Sequence, residues 1–311
     1  MVNGKLLIVL FFTFLLGCQS NSDLTNSNIN PQKYDERTAK LFKTKEKIVT
    51  FFQPMQVQEG DWLESFREEG QTFEQYLNAN PTLPTPSRQT IYIQPIGEFT
   101  ATQKKVLQLT ADYMKVFYNL PVKLNEIKPL ENLPKDTNRN HPVEKHFQVK
   151  SGYFLNDLLP KMLPEDAAAF ICFTNFDLYP DENWNYVFGQ ATLQNRVGVW
   201  SMWRFGNPDK SQKDYKLFLE RTLKVAMHET GHMFTMLHCT KYECIMSGSN
   251  HIIEADRRPL DACPECMAKI AWAMKYEPTL RYKKLSNFWK EKGFKELSAE
   301  FTEKEKAVLQ E

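Results

Sequence analysis

The chain has 311 residues, which is enough for one large domain or two small ones. Hydrophobic residues make up 42% of it and charged residues 25%, the composition of an ordinary globular protein. Lysine and arginine number 39 against 38 aspartates and glutamates, so there is no basic excess to predict nucleic-acid binding and no acidic excess to predict disorder.

The first residues are interpreted as a signal peptide, over residues 1–17. The apolar run from Leu6 to Leu16 has the length of a signal-peptide hydrophobic region and is too short to span a bilayer. It is followed by Gly17-Cys18, which resembles a bacterial lipobox and makes Cys18 the predicted lipidation site. The alternative is an ordinary signal peptide or membrane anchor with a chance cysteine. The lipobox predicts an extracytoplasmic protein, lipid-anchored to a bacterial membrane on its periplasmic face or at the cell surface.

Two segments precede the main domain. Residues 18–33 are rich in Ser and Asn without apolar periodicity, which predicts a flexible tether. Residues 34–88 are predicted to form a helical extension. Its first helix lies within 34–52, where apolar residues have helical spacing, and Asp61 is the candidate N-cap of a second, short helix.

Residues 89–285 show alternating strand and helix patterns, and 286–311 form a helical tail. Its last helix, around Phe294 to Leu309, is charged, and we expect it at the periphery. Residues 128–145 are polar and are predicted to be a loop. Strands are predicted at 90–95, 121–124, 167–173, 177–180, 186–191 and 197–203, and helices at 102–118, 155–162 and from about 214 through 232. This alternation favours an α/β fold, with a mixed sheet packed on helices.

Three histidines in and after the last of these helices form a candidate catalytic metal site. His228 and His232 are four residues apart, so both project from one helix face and can bind one ion. Glu229 completes the HExxH pattern of metallopeptidases and is the candidate general base. His238 lies six residues beyond His232, and a sharp turn would return it to the same ion. Zinc is the expected metal, with its fourth position open for water.

Four cysteines immediately downstream form a second candidate site. Cys239 and Cys244 are separated by four residues, and Cys263 and Cys266 by two, spacings that suit one tetrahedral zinc ion. Two disulfides are the alternative, which an extracytoplasmic location would permit. Cys172 lies in an apolar run and is predicted to be a buried structural thiol. The sequence thus predicts two zinc ions per chain, one catalytic and one structural.

The motifs occur in a specific order: HExxH, then His238-Cys239, Cys244-x-Met246 and Cys263-x-x-Cys266. This order resembles the archaemetzincin family of zinc metallopeptidases. Upstream segments resemble the family as well, at 60–63, 71–73, 91–95, 177–180, 184–191 and 198–201. The resemblance covers residues 55 to 285 and includes the front extension of longer, eukaryote-like members.

The resemblance implies a metzincin domain in which a twisted sheet lies above the active-site helix and a Cys₄ zinc ion staples the helical C-terminal part. It implies that the three histidines bind catalytic zinc, that the glutamate of HExxH is the general base, and that Met246 forms a Met-turn. By the same analogy, an edge strand lines the cleft, and a peptide substrate lies antiparallel to it. The implied substrate-lining residues are Gly198, Val199, Trp200 and Ser201.

The chain departs from the family pattern at Thr235, where glycine is expected three residues after the second histidine. Glycine there supplies the left-handed conformation that ends the helix and redirects the chain. A β-branched residue in that conformation costs roughly 1–2 kcal/mol. The spacing from Met246 to Cys263 is also slightly shorter than in the family, a change that a loop can absorb.

The sequence therefore predicts a zinc-dependent peptidase that acts on a peptide or protein. One alternative is a zinc amidase acting on a non-peptide amide, because the metal chemistry is the same. Another is a catalytically weak or inactive module whose zinc ions stabilise a peptide-binding surface. Glu229 argues against the inactive module, since it is not needed as a ligand, whereas Thr235 argues mildly for it. Nothing predicts a nucleic-acid partner or an oligomeric state.

Overall fold

The computed structural model describes residues 34–310. The predicted signal peptide, the tether and the lipidation site Cys18 lie outside these residues. Among the helices that are described, none combines the length and the apolar character needed to cross a bilayer.

The strands of residues 34–310 form two sheets. They are β1 Thr90–Ile96, β2 Val122–Leu124, β3 Asn138–Asn140, β4 Phe147–Lys150, β5 Ala167–Thr174, β6 Asp177–Tyr179, β7 Gly189–Ala191 and β8 Val197–Ser201. The larger sheet has the order β2-β1-β5-β8-β7, in which neighbours are parallel except for the antiparallel pair of β7 and β8. The smaller sheet has the order β3-β4-β6. The predicted α/β class with a mixed sheet is confirmed.

Helices pack around the larger sheet and form the C-terminal part. They are α1 Glu36–Glu46, α2 Trp62–Ser65, α3 Phe73–Asn78, α4 Ala101–Tyr118, α5 Ser151–Tyr153, α6 Leu159–Met162, α7 Gln212–Met233, α8 Ile252–Arg257, α9 Pro264–Ala273, α10 Pro278–Glu291 and α11 Lys295–Leu309. A π-helical turn, Phe154–Leu158, joins α5 to α6, and short 3₁₀ turns lie at Val49–Phe51, Lys135–Thr137 and Trp203–Phe205. Helix α7 packs against β5, β7 and β8 and so carries the HExxH motif directly beneath the sheet.

Most predicted elements are found, with shifted ends. The helix predicted at 155–162 begins at Ser151, and the strand predicted at 186–191 shortens to β7. The loop predicted at 128–145 contains β3, whose polar sequence shows no strand pattern and which forms by pairing with β4. Asp61 occupies the N-cap position of α2 without capping it, because its carboxylate accepts hydrogen bonds from Gln58 and Arg257 instead.

The prediction that residues 198–201 form the edge strand is wrong. Strand β8 lies between β5 and β7, and all of its residues are buried. The edge strand is β7, whose residues are partly exposed. Both segments have strand patterns and they pair as neighbours, so the pattern alone does not tell which of the two is outermost. The candidate substrate-lining strand therefore moves from β8 to Gly189–Ala191.

One hydrophobic core joins the predicted extension, the sheet domain and the tail. It includes Leu41 of α1, Ile171 of β5 and Val308 of α11. The charged tail is therefore not peripheral, since α11 packs along α10 and buries Phe301 and Lys304. The predicted boundaries at 88/89 and 285/286 stay predictions, although the second falls inside α10.

A buried ion network attaches the last two helices to the loop before Cys263. The carboxylate of Asp261 contacts Lys304 Nζ at 3.0 Å and Arg281 Nη2 at 2.8 Å, and all three side chains are at most 1% exposed. Burial by itself would raise the pKa of Asp261, but the two cations outweigh it and hold this pKa below its ordinary value. Because Asp261 also accepts the backbone N–H of Ile245 and Ala262, the tail fixes both ends of the cysteine-bearing loop.

We expect Lys304→Met to lower the free energy of unfolding by about 3 kcal/mol, because it leaves a buried carboxylate with one cation instead of two. Urea unfolding in the presence of zinc measures the loss. The matched control is Lys306→Met on the same helix, whose ion pair with Glu303 is solvent-exposed and which should change stability by less than about 0.5 kcal/mol. Equal effects of the two substitutions would contradict this role for the buried network.

Candidate metal centres

Helix α7 presents two of the predicted ligands on one face. Its N-terminus is capped by Ser211, whose hydroxyl accepts the backbone N–H of Asp214. Leu219 and Leu223 are buried and fix the helix against the core. The helix runs unbroken to Met233, so the motif histidines lie in its last two turns.

The three predicted histidines converge. His228 and His232 place their Nε2 atoms 3.0 Å apart, and His238 brings a ring nitrogen to within 4.8 Å of the other two ligand atoms. Each Nδ1 atom faces an acceptor. That of His228 lies 2.9 Å from Ile245 O, that of His232 lies 2.6 Å from Met236 O, and that of His238 lies 2.9 Å from the carboxylate of Glu68. The turn predicted between the second and third histidines therefore closes.

These hydrogen bonds decide which ring nitrogen carries the proton. A carbonyl or carboxylate oxygen only accepts, so each Nδ1 must be the donor and each Nε2 must present a bare lone pair. Two lone pairs 3.0 Å apart on His228 and His232 repel each other unless a cation lies between them. The donor set is thus that of a metal site, and neutral imidazoles suit zinc.

Burial keeps these imidazoles neutral, as ligation requires. It lowers the pKa of His228 to about 3, with a smaller contribution from neighbouring His238. It also lowers the pKa of His232 well below the ordinary value. Protons therefore compete weakly with a metal ion for these two nitrogens.

Glu229 lies beside the edge strand and is not among the converging ligands. A Cβ atom built on Gly189 would lie 3.3 Å from Glu229 Cγ and 2.8 Å from Trp200 Cβ. Only glycine at this position therefore lets the side chains of Glu229 and Trp200 lie so close to the backbone of β7. Within residues 34–310 the Glu229 carboxylate has no hydrogen-bond partner. Its side chain keeps some solvent contact, yet burial raises the pKa of Glu229 to about 8 in the absence of a nearby cation.

The four predicted cysteines form a second cluster. Their sulfur atoms all lie within 4.8 Å of one another, and none is in a disulfide. Cys239 Sγ and Cys263 Sγ are 3.5 Å apart, far beyond a disulfide bond of about 2.05 Å. Two sulfurs on a tetrahedral zinc ion, each at about 2.3 Å, would be about 3.8 Å apart, so the cluster fits one ion. Cys244 Sγ also accepts the backbone N–H groups of Met246 and Cys263, as a thiolate ligand does. The disulfide alternative is not found.

Comparisons with known proteins point to one family. The profile of Peptidase family M54 matches residues 154–272. Archaemetzincin-2 of Pongo abelii is 36% identical over 257 residues, covering 72% of this chain and 71% of that protein. Archaemetzincin of Pyrococcus abyssi is 32% identical over 187 residues, covering 58% of this chain and 93% of that protein.

The chain belongs to the archaemetzincin family. It is a zinc-dependent metallopeptidase, so its substrates are peptides or proteins, and the amidase and inactive-module alternatives are not favoured. Among solved structures, archaemetzincin from Methanopyrus kandleri superposes with a TM-score of 0.49 at 26% identity, covering 62% of this chain and 98% of that one.

Met246, the predicted Met-turn residue, packs against helix α7. Its sulfur lies against Gly231, where an added Cβ would be only 2.4 Å away. Its carbonyl accepts the backbone N–H of Cys239, so the residue after the third histidine is attached to Met246. Cys172 is fully buried in β5, where burial raises the pKa of its thiol well above the ordinary value, as a structural role predicts.

Thr235 adopts the left-handed conformation that the family's glycine would supply, with φ of +64°. Backbone hydrogen bonds from Thr235 N to His232 O and from Met236 N to Gly231 O form a Schellman motif, which ends the helix. The Thr235 hydroxyl accepts the backbone N–H of Thr82 at 3.0 Å. This hydrogen bond gives threonine a favourable interaction that glycine lacks.

A third group of possible ligands, Asp61, His251 and Glu254, is explained without a metal ion. Arg257 contacts Asp61, and Arg258 contacts Glu254, so both carboxylates already face cations. His251 Nδ1 accepts the backbone N–H of Glu254 as an N-cap. The group ties the extension to α8.

Sequence reasoning missed Glu68. Its carboxylate contacts the third histidine, although 170 positions separate the two residues in the sequence. Glu68 belongs to no motif and lies between two short helices, so no local pattern distinguishes it from the other glutamates nearby. Only the fold brings it to the site.

Thr235 has a strained backbone conformation and a hydroxyl that accepts a hydrogen bond, and two substitutions separate these features. Thr235→Val keeps the strain and removes the acceptor of the Thr82 N–H, which should lower the free energy of unfolding by roughly 1–3 kcal/mol. Thr235→Gly relieves strain of roughly 1–2 kcal/mol and loses one hydrogen bond, so we expect stability near that of the wild type and activity at least equal. Urea unfolding compares them, and a valine variant as stable as the glycine variant would contradict the hydrogen-bond role.

Proposed function

We propose that His228, His232 and His238 bind the catalytic zinc ion and that Glu229 is the general base for peptide-bond hydrolysis. The observation that carries this proposal is the convergence of three histidines whose Nδ1 atoms all face acceptors. Because no hydrogen-bond donor among residues 34–310 faces the converging nitrogens, a cation at this point would complete the site.

The chain's own residues move the proton. A bound zinc ion would supply a Lewis acid that polarises the scissile carbonyl and makes water more acidic. The Glu229 carboxylate accepts a proton from the attacking water and passes it to the departing amine nitrogen. Burial raises the pKa of Glu229 to about 8 when no cation is near, and the charge of a bound zinc ion would lower it again, so the carboxyl would be ionised when it accepts the proton.

The peptide substrate lies along β7. Hydrogen bonds from Ser201 N to Phe188 O and from Thr192 N to Val197 O define the pairing with β8. In an antiparallel pair such bonds alternate, so the N–H and C=O groups of Gly189 and Ala191 point to the free side of the sheet. A substrate strand added there would have its backbone beside Glu229.

The four clustered cysteines hold a second, structural zinc ion, which gives two ions per chain. The loop that carries Cys239 begins directly after His238, so the structural ion holds the backbone next to the third catalytic ligand. The burial of the four cysteines and the 3.5 Å between Cys239 Sγ and Cys263 Sγ support a closed tetrahedral site without an open position for water.

A lipid at Cys18 anchors the protein outside the cytoplasm of a bacterial cell. This proposal rests on the apolar run of residues 6–16 followed by Gly17-Cys18. The near balance of positive and negative side chains gives no electrostatic route to a membrane, so the lipid would be the anchor.

We expect Glu229→Gln to keep two zinc ions per chain and to lower kcat by roughly 10²–10⁴-fold, because the ligands remain and the base is lost. Digestion of a peptide library, read by mass spectrometry, measures activity, and elemental analysis counts zinc. Glu220→Gln, on the same helix and away from the histidines, is the control. Unchanged turnover of Glu229→Gln would exclude it as the base, and about one zinc ion in the wild type would exclude the two-site proposal.

Metabolic labelling with palmitate in a bacterial host tests the anchor. The full-length protein should carry the label and Cys18→Ser should not, whereas Cys172→Ser should remain labelled because that thiol is buried. An unlabelled wild-type protein with a cleaved N-terminus would identify an ordinary signal peptide instead.

A further inference from the structure

The turn that carries the third histidine is contacted by one segment of the extension, residues 68–82. Four of the five residues from Phe234 to His238 have a hydrogen bond to this segment. The contacts are Tyr76 Oη to Phe234 O, Thr82 N to Thr235 Oγ1, Gln71 Nε2 to Thr235 O, Leu237 N to Gln71 Oε1, and His238 Nδ1 to Glu68. The extension thus braces the turn along almost its whole length.

Glu68 makes the contact that bears on the metal. The Nδ1 atoms of His228 and His232 face backbone carbonyls, whereas that of His238 faces both oxygens of a carboxylate, at 3.0 and 2.9 Å. A charged acceptor makes a stronger hydrogen bond than a carbonyl and increases the basicity of the imidazole. Glu68 therefore acts on the one ligand that no helix holds.

The loop that carries Glu68 is itself anchored. Trp62 packs edge-on against the His238 ring at 5.2 Å between centroids, and Phe66 packs on Trp62 at 4.4 Å. The backbone N–H of Trp62 donates to the buried carboxylate of Glu254. Glu68 is 28% exposed in its side chain, so it borders an open cleft that Arg67 also lines.

We propose that Glu68 is a positioning residue of the metal site, which orients His238 and strengthens its bond to zinc. The inference rests on the proposed role of His238 as a ligand. It makes the extension a part of the metal centre, so that residues far from HExxH in the sequence set the affinity for the catalytic ion.

Zinc affinity tests this role without measuring activity. In the otherwise intact chain, Glu68→Ala should lower the affinity for one zinc ion by roughly 10–100-fold. This should be the same ion whose binding His238→Ala weakens. Glu68→Gln keeps an acceptor without the charge and should have a smaller effect. The matched control is Glu69→Ala, because Glu69 has the same charge and borders the same cleft without reaching a histidine. Competition with a chromophoric chelator measures each dissociation constant.

A double-mutant comparison separates positioning from general loss of structure. In the His238→Ala background, Glu68→Ala should have no further effect on zinc affinity. Each variant with the cysteine-held zinc ion bound should have the same thermal unfolding temperature as the protein from which it was made. Wild-type affinity of Glu68→Ala, or an equal loss in Glu69→Ala, would overturn the inference. A wild-type protein that binds only the cysteine-held zinc ion would overturn the proposed function instead.

Discussion

The proposed catalytic centre depends on presenting three imidazole nitrogens to one point. Two of them need nothing beyond a helix, since His228 and His232 lie one turn apart on α7. The third requires the chain to stop the helix, reverse and return within six residues. The Schellman turn at Phe234 to Met236 performs this reversal, so its stability determines whether His238 reaches the other two.

Much of the remaining structure holds that turn. On one side the extension supplies hydrogen bonds to four of its residues, and on the other Cys239 donates its backbone N–H to Met246. Cys239 in turn belongs to the cysteine cluster, whose loop is fixed through Asp261 to the buried cations of α10 and α11. The N-terminal extension and the C-terminal tail therefore act on the same short segment from opposite directions.

The sequence predicted the parts of the site that follow from local spacing. Helical periodicity brings His228 and His232 together, and short Cys spacings indicate a shared centre, so both clusters were predictable. Neighbouring residues could not reveal Glu68 or the order of β7 and β8. Each depends on long-range packing, and in the hairpin both strands fit the same alternation. The strand β3 was missed because its polar residues are ordered by pairing rather than by burial.

Thr235 illustrates how such long-range contacts change the meaning of a local departure. Considered alone, its left-handed conformation costs roughly 1–2 kcal/mol relative to an unstrained residue. The hydrogen bond from Thr82 returns roughly 0.5–1.5 kcal/mol, which is of the same size. Glycine would avoid the strain but could not bind the extension at this point. A strained threonine is therefore compatible with an ordered metal site where a second segment covers the turn, and its presence does not indicate loss of catalysis.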